Sequence, residues 1–395
     1  MLEKKFISFG KPFVGKAEIK SVNKVIKSLW LGTGKITSNF EEEFSKYKKS
    51  KFAISVNSCT AALHLSLLSL NLKKGDEVIT TPMTFAATIN SIILAGGKPI
   101  LVDIRQDTFN IDESKIEQKI TKKTKAIMIV HFAGLPCDMK NIVNISKKYN
   151  IKLIEDCAHA IEAKYKNKEV GTFGYSGCFS FYSNKNITTG EGGMMTCSKK
   201  SLSDKVKIMR LHGMSRDAWK RYMPDSTPKD IGYQHYDVVY TGLKYNMIDI
   251  NAAIGLEQLK KINKMWSARK KLYNVYSEKL KSSPILLQNT KKYPCIHAYH
   301  LFMFVFNQTE LRSKKIRDKF LLYLNKNKIG AGVHYRSVTS MTNYQKLFGW
   351  NEKTCPIAHN MGKNTVSLPL YPGLKKSEQS YIINKVKLFF RKETK

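Results

Sequence analysis

Phe179-Ser180-Phe181-Tyr182-Ser183-Asn184-Lys185-Asn186-Ile187-Thr188-Thr189-Gly190-Glu191-Gly192-Gly193 holds a single lysine in a stretch with little charge, with a hydroxyl five residues before it and a glycine cluster just after. Its two ends read as strands, Gly177–Tyr182 and Gly193–Cys197. Upstream, the apolar run Ile151-Lys152-Leu153-Ile154 ends in Glu155-Asp156-Cys157-Ala158-His159. Similar short apolar runs occur at Phe52–Val56, Glu77–Thr81, Pro99–Asp103, Ala126–His131 and Lys152–Asp156. Helical patterns fill 59–71, 84–96, 112–120, 138–149 and 199–212. Nearly continuous apolar strands alternating with helices predict an α/β fold whose central sheet is mainly parallel and covered on both faces. Ligands in such sheets bind beyond the carboxyl ends of the strands. Asp156 and the turn after Val56 are expected at that edge.

From Asp249 to Lys281 the pattern becomes one long helix, with Ile250, Ala253, Ile254, Leu256, Leu259, Ile262, Met265 and Trp266 near helical spacing. Ser282-Ser283-Pro284 ends it. Beyond lie strand-like His297–Phe306, helix-like Leu311–Lys326, an irregular run from Ile329 to Pro372 and an amphipathic helix over Ser377–Phe390. The expected division is a large domain over 1–248, with its N-terminal segment, and a smaller α+β domain over 249–395 that begins with the long helix.

A chain of 395 residues is too long for one small core, and an apolar fraction of 42% suits a globular protein. No run of eighteen or more apolar residues exists, and Met1-Leu2-Glu3-Lys4-Lys5 lacks the apolar core of a signal peptide, so no membrane span and a cytoplasmic location are expected. Seven scattered cysteines with no CxxC pair argue against a disulfide framework or a zinc site, and no metal is expected. The net charge of +36 invites a nucleic-acid reading. However, only nine of the 67 basic residues are Arg, and the lysines spread along the whole chain instead of forming a stripe. Bidentate phosphate and base recognition favours Arg, so no specific nucleic-acid partner is expected.

Gly32-Thr33-Gly34-Lys35-Ile36-Thr37 imitates part of a phosphate-binding P-loop. That motif needs Gly five positions before the Gly-Lys pair, where Leu29 stands, and Ser or Thr after Lys, where Ile36 stands. A nucleotide hydrolase is therefore excluded.

The chemistry-bearing residues converge on a different reading. A lysine amine attacks carbonyls only when deprotonated, and burial lowers its pKa toward that state. Asn57-Ser58-Cys59-Thr60 follows a strand and opens a helix, where backbone N–H groups and hydroxyls can cradle a phosphate; simple N-capping by Ser58 is the plainer reading. Phe85, in Pro82-Met83-Thr84-Phe85-Ala86-Ala87-Thr88, could stack on a flat cofactor or belong to the core. A buried Asp156 beside a pyridine nitrogen would keep that nitrogen protonated. A lysine for a Schiff base, an acid for a pyridinium and a phosphate cradle together describe a pyridoxal 5′-phosphate (PLP) site.

The chain resembles the PLP-dependent nucleotide-sugar aminotransferases of the DegT/DnrJ type, which have the fold-type-I aminotransferase architecture. The likeness runs through Trp30–Gly34, Phe40-Glu41, Asn57–Leu63, Pro82–Thr88, His131–Gly134, Glu155–Ala160 and Phe179–Gly193. It continues in Gly242–Met247, Ala252–Gly255, His334-Tyr335 and Leu368–Pro372. The resemblance implies that Lys185 is the Schiff-base lysine and Asp156 the partner of the pyridine nitrogen. It implies that Phe85 stacks on the ring, that His159 lies near the ring hydroxyl, and that Cys59, Thr60 and Ser180 hold the phosphate. His334 and Tyr335 are implied for substrate binding. It further implies a homodimer in which Lys244 reaches the partner's cofactor phosphate, although many relatives carry Asn there. Cys59 stands where Gly is common, and His159 where Gln is common. Glutamate is the implied donor, a nucleotide-linked keto sugar the acceptor, and pyridoxamine 5′-phosphate (PMP) the form between half-reactions. Thr188-Thr189-Gly190-Glu191-Gly192-Gly193 resembles the version found in members that act on 4-keto sugars, which implies amination at C4 and an amino sugar for surface polysaccharide or glycoconjugate. The alternatives are a PLP-dependent sugar dehydratase, in which the lysine is typically replaced by His, and a non-catalytic binding or regulatory protein of the same fold.

Overall fold

The computed structural model describes residues 5–215, 236–311 and 315–394. Seven strands form the main sheet: β1 (Phe52–Val56), β2 (Glu77–Thr80), β3 (Lys98–Leu101), β4 (Thr124–Val130), β5 (Lys152–Asp156), β8 (Ser176–Ser180) and β9 (Gly193–Cys197). Between β5 and β8 the short strands β6 (Lys164–Tyr165) and β7 (Lys168–Glu169) form a hairpin of their own. The order across the main sheet is β1-β9-β8-β5-β4-β2-β3. The pairs from β8 to β3 are all parallel, and only β9 runs antiparallel, between β8 and β1. Alternate side chains of one strand enter different cores. Ile127 and Ile129 pack with Leu153 and Ile142, whereas Ala126 and Met128 pack with Ile154, Leu63 and Met195. Both faces are thus covered, which is why the strands lack polar alternation.

The helices are α1 (Lys16–Lys27), α2 (Lys35–Lys48), α3 (Cys59–Leu68), α4 (Ala86–Leu94), α5 (Met139–Lys148) and α6 (Lys200–Met209), then α7 (Asp249–Lys260) and α8 (Ile262–Lys279). The helix expected at 112–120 is instead two short 3₁₀ turns, Glu113–Lys115 and Glu117–Lys119; Asp112 bonds the N–H and hydroxyl of Ser114 and tightens the first. The long helix breaks at Lys261, where the backbone N–H reaches back three residues to Gln258 and the ammonium pairs with Glu18 on α1.

Strands β10 (Ile285–Leu287), β12 (Phe302–Phe306) and β13 (Thr365–Leu368) make a second, antiparallel sheet, and β11 (Cys295–Ile296) joins the β6–β7 hairpin. Helices α9 (Ile316–Lys326), α10 (Thr342–Phe348), α11 (Pro356–Asn364) and α12 (Lys376–Glu393) complete the chain, so the run read as irregular contains two helices and a strand. The second core is aromatic: Phe302, Phe304, Phe320, Phe389 and Phe390 surround one another, with Tyr276 of α8 stacked on Phe302 at 4.8 Å. Ile7 enters this core too, bridging to Ile329. Helix α7 instead packs on α1 and α2, so α7 and α8 together tie the two cores.

Candidate active site

A cavity of about 420 Å³ opens where β1, β2, β5 and β8 end. Nine of the ten site residues expected from sequence line it: Cys59, Thr60, Phe85, Asp156, His159, Ser180, Lys185, His334 and Tyr335. Lys244 does not line it; this side chain is exposed, on a segment whose carbonyls accept from the backbone N–H and side-chain amide of Asn57.

Helix α3 begins at Cys59, capped by Ser58 Oγ, which accepts from Ala61 N at 3.1 Å. The N–H groups of Cys59 and Thr60 have no acceptor within the helix, so with the hydroxyls of Ser58, Thr60 and Ser180 on the cavity wall they could receive an anion. Gly193 of β9 presses on that turn: a Cβ there would lie 2.5 Å from the Ser58 carbonyl carbon and 2.6 Å from Cys59 N.

Asp156, the last residue of β5, is buried at the cavity. Its carboxylate accepts from Thr88 Oγ1 at 2.9 Å and from Ala158 N at 3.1 Å. Burial pushes its pKa up, against the pull of these two bonds and of Lys185 and His131. The Pro82–Thr88 motif does not single out Thr88 in sequence, since a threonine one turn from Thr84 on an apolar helix carries no signal of its target.

Lys185 follows a tight turn in which its N–H donates to Tyr182 O at 2.9 Å. Burial lowers its amine to about 8, against the opposing effect of Cys59 and Asp156. Phe85 is 62% exposed, which removes the core reading; it stands at the start of α4, 6.0 Å from the ring of Tyr335. His159 Nε2 lies 2.9 Å from Tyr335 OH, while its Nδ1 is buried with no partner among the described residues. Burial and the nearby Lys185 and His334 hold the His159 imidazole well below its usual pKa. His334 is bonded to Ser367 Oγ at 2.9 Å and stacks on Phe9 at 5.3 Å. Sequence reading missed His300, Asn184 and Tyr182 on the cavity wall; lone residues of these types in a strand or turn have no distinguishing pattern.

Two other motifs resolve as structure. The loop that imitates a P-loop holds the protein's own anion: Asp249 accepts from the N–H groups of Gly34 (2.8 Å), Ile36 (3.3 Å) and Thr37 (2.9 Å) and from Thr37 Oγ1 (2.6 Å). His131, Glu155 and Cys157 bring possible metal-ligand atoms within 4.8 Å of one another. The histidine has no lone pair to spare, since Nδ1 accepts from Cys137 N at 3.0 Å and Nε2 faces Glu155 at 3.2 Å. Glu155 also accepts from Gly171, Phe173 and Gly174, which pins the turn before β8.

A helix start open to an anion, a buried carboxylate that no cation bonds among the described residues and a lysine of lowered pKa, all in one cavity, suit a phosphorylated pyridine aldehyde. The family model of DegT/DnrJ/EryC1/StrS aminotransferases matches residues 12–387, and the chain belongs to that family. The Bacillus subtilis spore coat polysaccharide biosynthesis protein SpsC is 39% identical over 383 residues, 97% of this chain and 96% of SpsC. Spr1654 of Streptococcus pneumoniae, provisionally described as a sugar aminotransferase, superposes with a TM-score of 0.88 at 31% identity over 98% of this chain and 99% of its own; it is known in PLP and PMP forms. Helicobacter pylori PseC, an aminotransferase involved in the biosynthesis of pseudoaminic acid, superposes at 0.87 with 30% identity over 98% of this chain and 100% of PseC. The architecture is thus that of fold-type-I aminotransferases, and the cofactor is PLP, with PMP as its aminated form.

The residues present fit that cofactor. Asp156 would face the pyridine nitrogen, the orphaned His159 Nδ1 would offer a polar partner, and the first turn of α3 would seat the phosphate. The cavity size lies in the usual range for a cofactor and part of a substrate.

Proposed function

We propose that the protein transfers an amino group from glutamate to the C4 keto group of a nucleotide-linked sugar, making an amino sugar for surface polysaccharide or glycoconjugate. The observation that carries the reading is the meeting of Lys185, with an amine near 8, and buried Asp156 in one cavity beside an anion-binding helix start. PLP, when bound, supplies the carbonyl that takes the amine and a ring that draws electrons from the reacting carbon. Lys185 Nζ is neutral in part at neutral pH, so it can take the proton from the carbon bearing the amine and later return it. Asp156, bonded by Thr88 and Ala158, would face the ring nitrogen as an anion and keep it protonated. The α3 start, Thr60 and Ser180 anchor the phosphate, Phe85 covers the ring, and His159 with Tyr335 fixes its edge. His334 and Tyr335 line the substrate side, and Lys244 serves the partner's site in a homodimer.

The sugar reading is supported by the descriptions of Spr1654, SpsC and PseC. The C4 assignment draws on the turn Thr188–Gly193. Gly190 N donates to Thr188 Oγ1 at 2.9 Å, Asn251 Nδ2 donates to the carbonyls of Thr189 (2.7 Å) and Glu191 (3.1 Å), and Glu191 and Gly192 line the cavity. A turn so fastened can select which sugar carbon approaches. Seven free cysteines suit the cytosol.

The test begins with the PLP-loaded enzyme and glutamate alone, which should convert the yellow form to PMP. A panel of nucleotide-linked 3-keto and 4-keto sugars should then restore it, the 4-keto compounds fastest. No spectral change with glutamate favours a dehydratase or a binding protein, and preference for 3-keto sugars removes only the C4 assignment.

A further inference from the structure

Directly after Lys185, the side chain of Asn186 enters a buried polar relay. Its Nδ2 donates to Glu162 Oε2 at 2.6 Å and to the Ala298 carbonyl at 2.9 Å. The Ala298 carbonyl can only accept, which fixes the amide orientation: Oδ1 is the atom 2.9 Å from His300 Nδ1. An amide oxygen only accepts, so His300 carries a proton on Nδ1. Burial, with His159, Lys185, Arg269 and His334 around the ring, holds its pKa well below the usual value, so the imidazole is neutral and has no second proton. Nε2 is then a bare acceptor, and among the described residues no hydrogen bond reaches it. His300 lines the cavity with Lys185 and Tyr335, its ring 4.3 Å from that of His159. Arg269 fixes the backbone behind it, donating to the carbonyls of Leu370 at 2.8 Å and His300 at 3.3 Å.

A bare acceptor on a cavity wall selects for a donor. The carboxylates of a dicarboxylic amino acid offer only acceptors, whereas every sugar hydroxyl can donate. We propose that His300 is a substrate-positioning residue, locked as the Nδ1–H tautomer by Asn186 and Glu162, whose Nε2 accepts a hydrogen bond from a hydroxyl of the sugar. The sugar half of this inference rests on the aminotransferase reading above. A site built to bond one hydroxyl also discriminates strongly against sugars that lack it.

Two measurements decide it. Long-range ¹H–¹⁵N spectra of the PLP-loaded protein labelled in histidine nitrogen should show the Nδ1–H pattern for His300, assigned by its loss in His300→Gln, and Asn186→Leu should abolish that single pattern. An Nε2–H or doubly protonated His300 in the wild type at neutral pH overturns the relay. In the sugar half-reaction, run with UDP- and dTDP-linked 4-keto-6-deoxyhexoses, His300→Leu should raise KM by about tenfold or more with a smaller loss in kcat. His300→Gln keeps an acceptor oxygen and should recover most of the difference. An unchanged KM in His300→Leu overturns the substrate role. A wild type that fails to convert glutamate removes the aminotransferase reading and the substrate role with it, while the spectra still decide the relay.

Discussion

At the residue scale the site depends on two buried titratable groups whose charged forms burial disfavours. Lys185 is held near 8, well below the usual lysine value, because its surroundings disfavour the ammonium. Lys185→Ala should lower transamination about a thousandfold or more, since both proton transfer and the covalent role are lost; turnover within tenfold of wild type would exclude this amine. Linkage gives an independent check in the cofactor-free protein. Between about pH 8 and the unfolded value near 10.5, the unfolded chain binds the extra proton, so stability rises with pH through that window and the full penalty applies below it. Lys185→Met should therefore melt higher than wild type near pH 7, and the two should converge at high pH. A melting difference that ignores pH would show the amine to be well solvated. Asp156 is the mirror case: burial pushes its pKa up, while the hydrogen bonds from Thr88 and Ala158 favour the anion. Asp156→Asn retains the shape but loses the charge, so the half-reaction with glutamate should slow about a thousandfold with little change in melting temperature. A normal half-reaction would sink the assignment.

At the scale of elements, the site exists because backbones approach one another closely. Gly193 lets β9 touch the start of α3, where a Cβ would sit 2.5 Å from Ser58 backbone. Gly193→Ala should push that turn away from the phosphate position, weakening PLP retention about tenfold or more while the fold survives; retention equal to wild type would mean the turn can shift without cost. The capping of α2 by Asp249 is a second such tie. Asp249→Ala leaves three N–H groups and the Thr37 hydroxyl without their acceptor, and should cost about 2–4 kcal/mol. A chemical-denaturation midpoint unchanged by the substitution would show that water replaces the carboxylate. Most of this architecture was legible from the chain, because buried parallel strands are written as uninterrupted apolar runs: Phe52–Val56, Lys152–Asp156 and Gly193–Cys197 match β1, β5 and β9 end to end. The break at Lys261 was not legible, because the pairing found there joins it to Glu18, far away in sequence. The helix expected at 112–120 fell to local chemistry, Asp112 bonding Ser114 in a tighter turn. Within the site, all the residues that were found stand in motifs, but a motif did not reveal every partner: Thr88, Tyr182 and Asn184 stand in motifs too, and only the folded chain shows what they face. His300 acquires its meaning only from Asn186 and Glu162, and no spacing in the sequence joins these three.

At the scale of the whole molecule, Lys244 is the one expected site residue that the protomer does not bring to its own cavity. It sits in a segment fastened on both sides: Leu243 N donates to Met209 O at 2.7 Å, and Tyr245 O accepts from Asn57 N at 2.7 Å. Around this segment large apolar side chains face outward, among them Leu29 at 89% exposure, Trp30, Leu31, Val238, Val239, Tyr240 and Ile248. Clustered exposure of this kind marks an interaction surface, and a twofold dimer buries the same patch of both copies. A rigid cation beside such a patch is well placed to enter a neighbour's site. The expected outcome is a dimer by sedimentation, with Lys244→Ala weakening PLP retention and activity. Mixing and reannealing inactive Lys185→Ala with Lys244→Ala subunits tests the sharing directly. In a hybrid dimer one site combines the intact Lys185 of one subunit with the intact Lys244 of the other, and the second site lacks both. Random reassortment makes half of the dimers hybrids, so about a quarter of wild-type activity should return. An active monomer would refute the shared site, and so would a mixture no more active than the Lys244→Ala enzyme alone, because each Lys244 would then serve its own subunit.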